Sequence, residues 1–96
     1  MADDAIDAFL RELPLRLLAL REALGQSDWH SAEHTAQALR GMAATLGARD
    51  VARLSGELIE ALSRGATVEG SALLATLEAA GTAALAALQV ERTPAP

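Results

Sequence analysis

Read only as apolar and polar positions, the chain keeps returning to one rhythm. Leu17, Leu18, Leu20 and Leu24 recur at helical spacing between Pro14 and Gly25, and the same three-and-four step returns at Val51, Leu54, Leu58 and Leu62. That spacing lines apolar side chains along one side of a helix.

Turn and capping residues divide the pattern. Asp3 or Asp4 can cap a short first helix whose apolar side is Phe9, Leu10 and Leu13, and Pro14 ends or kinks it. A second helix runs from Pro14 to Leu24, with Gly25 where helices stop. "GQSD" is turn chemistry, with Ser27 or Asp28 capping a third helix to about Leu46, closed by Gly47. Asp50 stands near the start of a fourth helix that ends at Gly65, and "GATVEG" reads as a loop. Ser71 caps a fifth helix to about Val90, leaving "ERTPAP", residues 91–96, as a disordered tail. Four substantial helices behind a short leading one, joined by short loops, predict an all-α fold. The expected form is an antiparallel four-helix bundle with a short N-terminal capping helix, one domain over residues 1–90.

Composition supports this and narrows the function. The 96 residues suffice for one modest core, and the apolar half is mostly Ala and Leu, with one Phe, one Trp and no Tyr, which favours helix over strand. A net charge of -5 with acids spread along the chain leaves no basic stripe to follow a phosphate backbone, so nucleic acid is not an expected partner. Without cysteine there is neither a disulfide framework nor a thiolate metal site. The opening "MADDAIDAFL" is acidic where a secretory signal is basic. Ser71 to Val90, the nearest approach to a membrane span, is interrupted by Glu78 and diluted by Ala, Gly and Thr. A soluble cytoplasmic protein without a membrane partner is expected.

On a helical wheel the third helix separates two faces. Trp29, Ala32, Ala36, Leu39, Ala43 and Leu46 share one sector as the core seam. The opposite sector holds His30, His34, Gln37 and Gly41, with Arg40 on its flank. An outward helical glycine costs about 1 kcal/mol against alanine and serves no core of its own helix. Beside a guanidinium and one turn after a polar side chain, it clears room for something bulky and anionic, such as a docking protein that carries a phosphoryl group.

These residues carry a resemblance. "GQSDWHSAEHTAQALRGMAATLGARDVARL" resembles the histidine-containing phosphotransfer (HPt) domains of bacterial phosphorelays, whose motif is His, any residue, Leu, Lys or Arg, Gly, then five residues to a second Gly. Here Leu39, Arg40, Gly41 and Gly47 match, with Asp28 and Trp29 also in the family's places, and the likeness extends from Phe9 to Leu88. Where the family has its phosphorylated histidine, this chain has Gln37. The resemblance implies a partner-binding face of His34, Gln37, Arg40 and Gly41 that docks the receiver domain of a response regulator or hybrid histidine kinase. The phosphoacceptor position is then silent, because the amide nitrogen lone pair of glutamine is delocalised into its carbonyl.

Other chemistry competes with that reading. His34 is the rescue candidate for phosphorylation, but counted from it the basic and glycine positions fall on Gln37 and Ala38, about 5 Å out of register along the axis. His30 and His34 stand at the i, i+4 spacing of a zinc pair, yet no convincing third ligand follows, so no metal is expected. There is no nucleophile triad and no glycine loop to cradle a cofactor phosphate, so neither cofactor nor turnover of its own is expected. In the fifth helix, Ala75, Ala79, Thr82, Ala83 and Ala86 form a weakly apolar surface open to a partner or to a second copy in a homo-oligomer. The alternatives to a silent docking protein are therefore an active phosphotransfer intermediate, using His34 or a histidine at position 37 in a parent form, and a helical interaction module without receiver binding.

Overall fold

A computed structural model describes residues 2–92, with side chains described from Ala5 to Val90. Its helices are α1 (Ala2–Gly25), α2 (Trp29–Leu46), α3 (Arg49–Ser63) and α4 (Thr67–Arg92), and the described residues contain no strand. Each helix packs on its neighbour in sequence, and α1 also packs on α4, so the four close around one core. Leu13, Leu20, Leu39, Leu58 and Leu77 are fully buried at its centre.

The first correction is at Pro14. The expected short capping helix is not a separate element, because α1 runs unbroken through the proline. Proline inside a helix removes one backbone hydrogen bond and crowds the preceding turn, at about 3 kcal/mol. Here Pro14 points outward, while Phe9 and Leu13 before it and Leu17 and Leu20 after it form one buried stripe. Burying Phe9 and Leu13 is worth about 1.5–3 kcal/mol each, enough to hold the first turns in line with the rest. Asp3 and Asp4 lie within α1 rather than at its cap.

The second correction concerns α4, which begins at Thr67 and not at Ser71. Only residues 64–66 separate α3 from α4, turned by Gly65 at φ +76. "TVEG" is helical because Gly70 is a packing residue: a Cβ there would stand 3.3 Å from Leu58 Cδ1 and 3.2 Å from Leu62 Cδ2. At its other end α4 continues to Arg92, so residues 91 and 92, expected in the tail, are helical, and residues 93–96 lie outside the described residues.

α4 meets α1 through two devices. A Cβ on Gly81 would be 2.9 Å from Leu17 Cδ1, so the missing side chain lets the helices approach. Glu78, the charge that interrupts the apolar run, accepts from Arg21 Nε at 2.9 Å and pairs with the same guanidinium through Nη2. The hydrogen bond to Glu78, and then its charge, raise the Arg21 pKa above its ordinary value. Over Thr67–Val90 α4 is long and apolar enough to cross a bilayer by length and composition, whereas in this fold Leu74, Leu77 and Gly81 face the other helices. Ala75, Ala79, Thr82, Ala83 and Ala86 are exposed.

Candidate functional site

α2 is fixed at both ends by local chemistry. Asp28, not Ser27, is the cap: its Oδ1 accepts from Ser31 N–H at 3.2 Å, filling one of the open donors of the first turn. Hydrogen bonding from the Ser31 side chain, then from its backbone N–H, with a smaller contribution from His30, holds the Asp28 carboxyl below its ordinary pKa. Ser27 instead takes the left-handed turn position at φ 57. At the far end Gly47, at φ 74, reverses the chain while its N–H and that of Ala48 close on the last carbonyls of α2.

Between these ends the wheel holds with one exception. Ala32, Ala36, Leu39 and Ala43 are fully buried and Leu46 partly so. Trp29, expected in the core, is 36% exposed. Its angle is the core angle, but it is the first residue of α2, at the end of the bundle where α1 has already finished at Gly25.

His30, His34, Gln37, Arg40 and Gly41 are all exposed on α2, with Arg40 on the flank of the sector that the helical period gives the other four. Among the described residues, a Cβ built on Gly41 meets no atom within 4 Å. Among the described residues the glycine therefore serves no internal packing. Its carbonyl accepts from Thr45 Oγ1 at 3.0 Å, a bond within α2 that leaves the outer side of the glycine bare.

Arg40 is placed by a residue the sequence did not single out. Its Cδ passes 3.7 Å from where a Cβ on Gly56 of α3 would be, so the aliphatic stem lies across α3 at that glycine. Of the neighbouring cations, Arg53 is engaged by Glu57 at 2.8 Å and by Asp50 at 3.7 Å. Among the described residues no carboxylate pairs with Arg40. The i, i+4 pair of small residues Ala52 and Gly56 was visible in the sequence, but which helix they faced was not.

The site can therefore offer a carboxamide, one uncommitted guanidinium and open space to an anionic partner. Gln37 can accept and donate hydrogen bonds, but its amide nitrogen lone pair is delocalised into the carbonyl, which makes the nitrogen a poor nucleophile toward phosphorus. His30 and His34 remain a pair, since no group of three metal-binding side chains occurs among the described residues.

The helical bundle thus presents an uncovered Arg-Gly step on the exposed side of its second helix. The Hpt domain family model matches residues 4–91, and the chain belongs to that family. Hpt domains are phosphotransfer modules of phosphorelay signalling and interact there with receiver domains. No curated protein and no solved structure matches the chain.

Proposed function

We propose that this chain is a pseudo-HPt: a cytoplasmic domain over residues 1–90, built as an antiparallel bundle, that docks a receiver domain of a bacterial phosphorelay and does not itself take the phosphoryl group. Two- and three-residue connections between packed helices support the antiparallel run. The observation that carries the docking reading is Gly41, an exposed helical glycine whose Cβ position has nothing within 4 Å among the described residues, one turn from Gln37 and adjacent to Arg40. In this reading the receiver's aspartyl phosphate comes to rest opposite Gln37, Arg40 supplies positive charge, and transfer stops. The protein then acts as an adaptor or competitor.

The test is a titration against the receiver domains of its own genome. Wild type is expected to bind at least one, Gly41→Trp to remove binding without unfolding the helix, and Gln37→His to create acid-labile phosphate on the chain. Binding that survives Gly41→Trp would place the receiver elsewhere. Phosphate appearing on wild type and disappearing with His34→Ala would make the chain an active intermediate instead.

A further inference from the structure

Among the described residues, no hydrogen bond holds the carboxamide of Gln37, which is exposed on α2. One turn on, again among the described residues, Arg40 is without a carboxylate partner, and beside it Gly41 leaves its outer side empty to 4 Å. We propose that this face hydrolyses the aspartyl phosphate of the receiver it binds, with Gln37 orienting the attacking water. The inference rests on the receiver-docking reading and goes beyond it, from a silent adaptor to a drain on the phosphorelay.

An acyl phosphate is already activated. Its transfer passes through a loose transition state in which catalysis is mainly positioning and charge neutralisation, and a strong base is not required. What water lacks is a fixed place in line with the departing carboxylate. A carboxamide can supply it, because Oε1 accepts a hydrogen bond from water while Nε2 donates to a phosphoryl oxygen. An imidazole at position 37 would attack phosphorus itself, whereas the amide leaves that role to a solvent molecule. Gly41 provides the room: it follows Gln37 by one turn on the same face, and any side chain there would occupy the volume beside the amide. Arg40, exposed on the flank of that face with its stem against Gly56, can bring a guanidinium to the phosphoryl oxygens of a docked receiver.

In the step, the water oxygen forms a new bond to phosphorus as the bond from phosphorus to the aspartyl oxygen breaks. The bonding pair leaves with the carboxylate. Both water protons finish on inorganic phosphate, released as dihydrogen phosphate and then equilibrated with solvent. Neither an oxidant nor a second substrate is consumed.

The experiment follows receivers of the same genome, phosphorylated with acetyl phosphate and desalted, and measures phosphoreceiver half-life with and without this chain. A parallel titration of beryllofluoride-loaded receivers reads docking alone. Wild type is expected to shorten the half-life roughly tenfold or more and to release inorganic phosphate. Gln37→Ala should return the half-life to that of the receiver alone, and Gln37→His should divert the phosphate onto the chain, a change that a structural role for residue 37 would not produce. Circular dichroism confirms that each variant is folded. Binding without any shortening overturns hydrolysis and leaves docking standing, and so does a lengthened half-life, which would mean that the face shields the phosphate. No binding by any receiver removes docking and hydrolysis together.

Discussion

The Cδ of Arg40 lies 3.7 Å from the position a Cβ on Gly56 would take, so a side chain of α2 is laid along a bare point of α3. At that distance a methyl group makes ordinary contact, and a longer side chain takes the space of the arginine stem. Gly56→Ala is therefore expected to stabilise the bundle by about 0.5–1 kcal/mol through helix propensity, with receiver binding unchanged. Gly56→Leu keeps the helix but dislodges Arg40, and receiver affinity should fall roughly three- to tenfold. Thermal melts beside binding titrations separate the two effects. Equal affinities for wild type and Gly56→Leu would show that the seat of the arginine is irrelevant to docking.

Ser55, one residue before that glycine, is fully buried and its Oγ has no hydrogen-bond partner. A hydroxyl taken out of water without a new partner is a net loss, and alanine fits the same space with better helix propensity. Ser55→Ala should raise stability by about 1 kcal/mol in urea denaturation, with the slope unchanged. A loss of stability would mean that the hydroxyl finds a partner in solution.

The features legible in the sequence were those set by period and local chemistry. The angle around α2 was enough to put Ala32, Ala36, Leu39 and Ala43 inside and Gln37 and Gly41 outside, because one helix has one period wherever it packs. Gly47 closed α2 as expected, since its φ of 74 is a local requirement. The misreadings came where distant contacts outweighed a local rule. Pro14 signals a break unless a buried stripe bridges it, and Gly70 signals a loop unless Leu58 and Leu62 lie against it. Trp29 has the core's angle but not its depth, since angle says nothing about where neighbouring helices end. The Arg40–Gly56 seat and the Arg21–Glu78 pair join helices, and no single-helix pattern encodes them.

The proline of α1 gives a direct measure of that competition. Pro14 is exposed, so replacing it removes no buried surface, while alanine returns an N–H able to bond the carbonyl of Leu10. Pro14→Ala is expected to raise stability by about 1–3 kcal/mol and to increase helical ellipticity slightly. An unchanged or lowered midpoint would indicate that the core is built around a bend which alanine does not keep.

The cap of α2 carries a pH dependence whose sign is fixed by the direction of its shift. Folding lowers the Asp28 pKa from its ordinary 3.8, chiefly through hydrogen bonding from the Ser31 side chain and then from its backbone N–H, so the charged form is favoured in the folded protein. The resulting stabilisation is complete above the unfolded value and disappears as pH falls through the lower, folded value. An asparagine in the same place would cap the helix without titrating. Asp28→Asn should therefore melt near wild type at neutral pH, and the stability gap between wild type and Asp28→Asn should move in favour of the variant below about pH 4. Asp28→Ala should melt lower than both at neutral pH, by a few degrees, because the Ser31 N–H is left to solvent. Since α2 begins at this cap, fraying there would reach His30 and His34 before Gln37. Receiver binding by Asp28→Ala should accordingly weaken less than its melting temperature suggests. Parallel profiles for wild type and Asp28→Asn from pH 7 down to acid unfolding would show that the carboxylate has no part in holding the helix start.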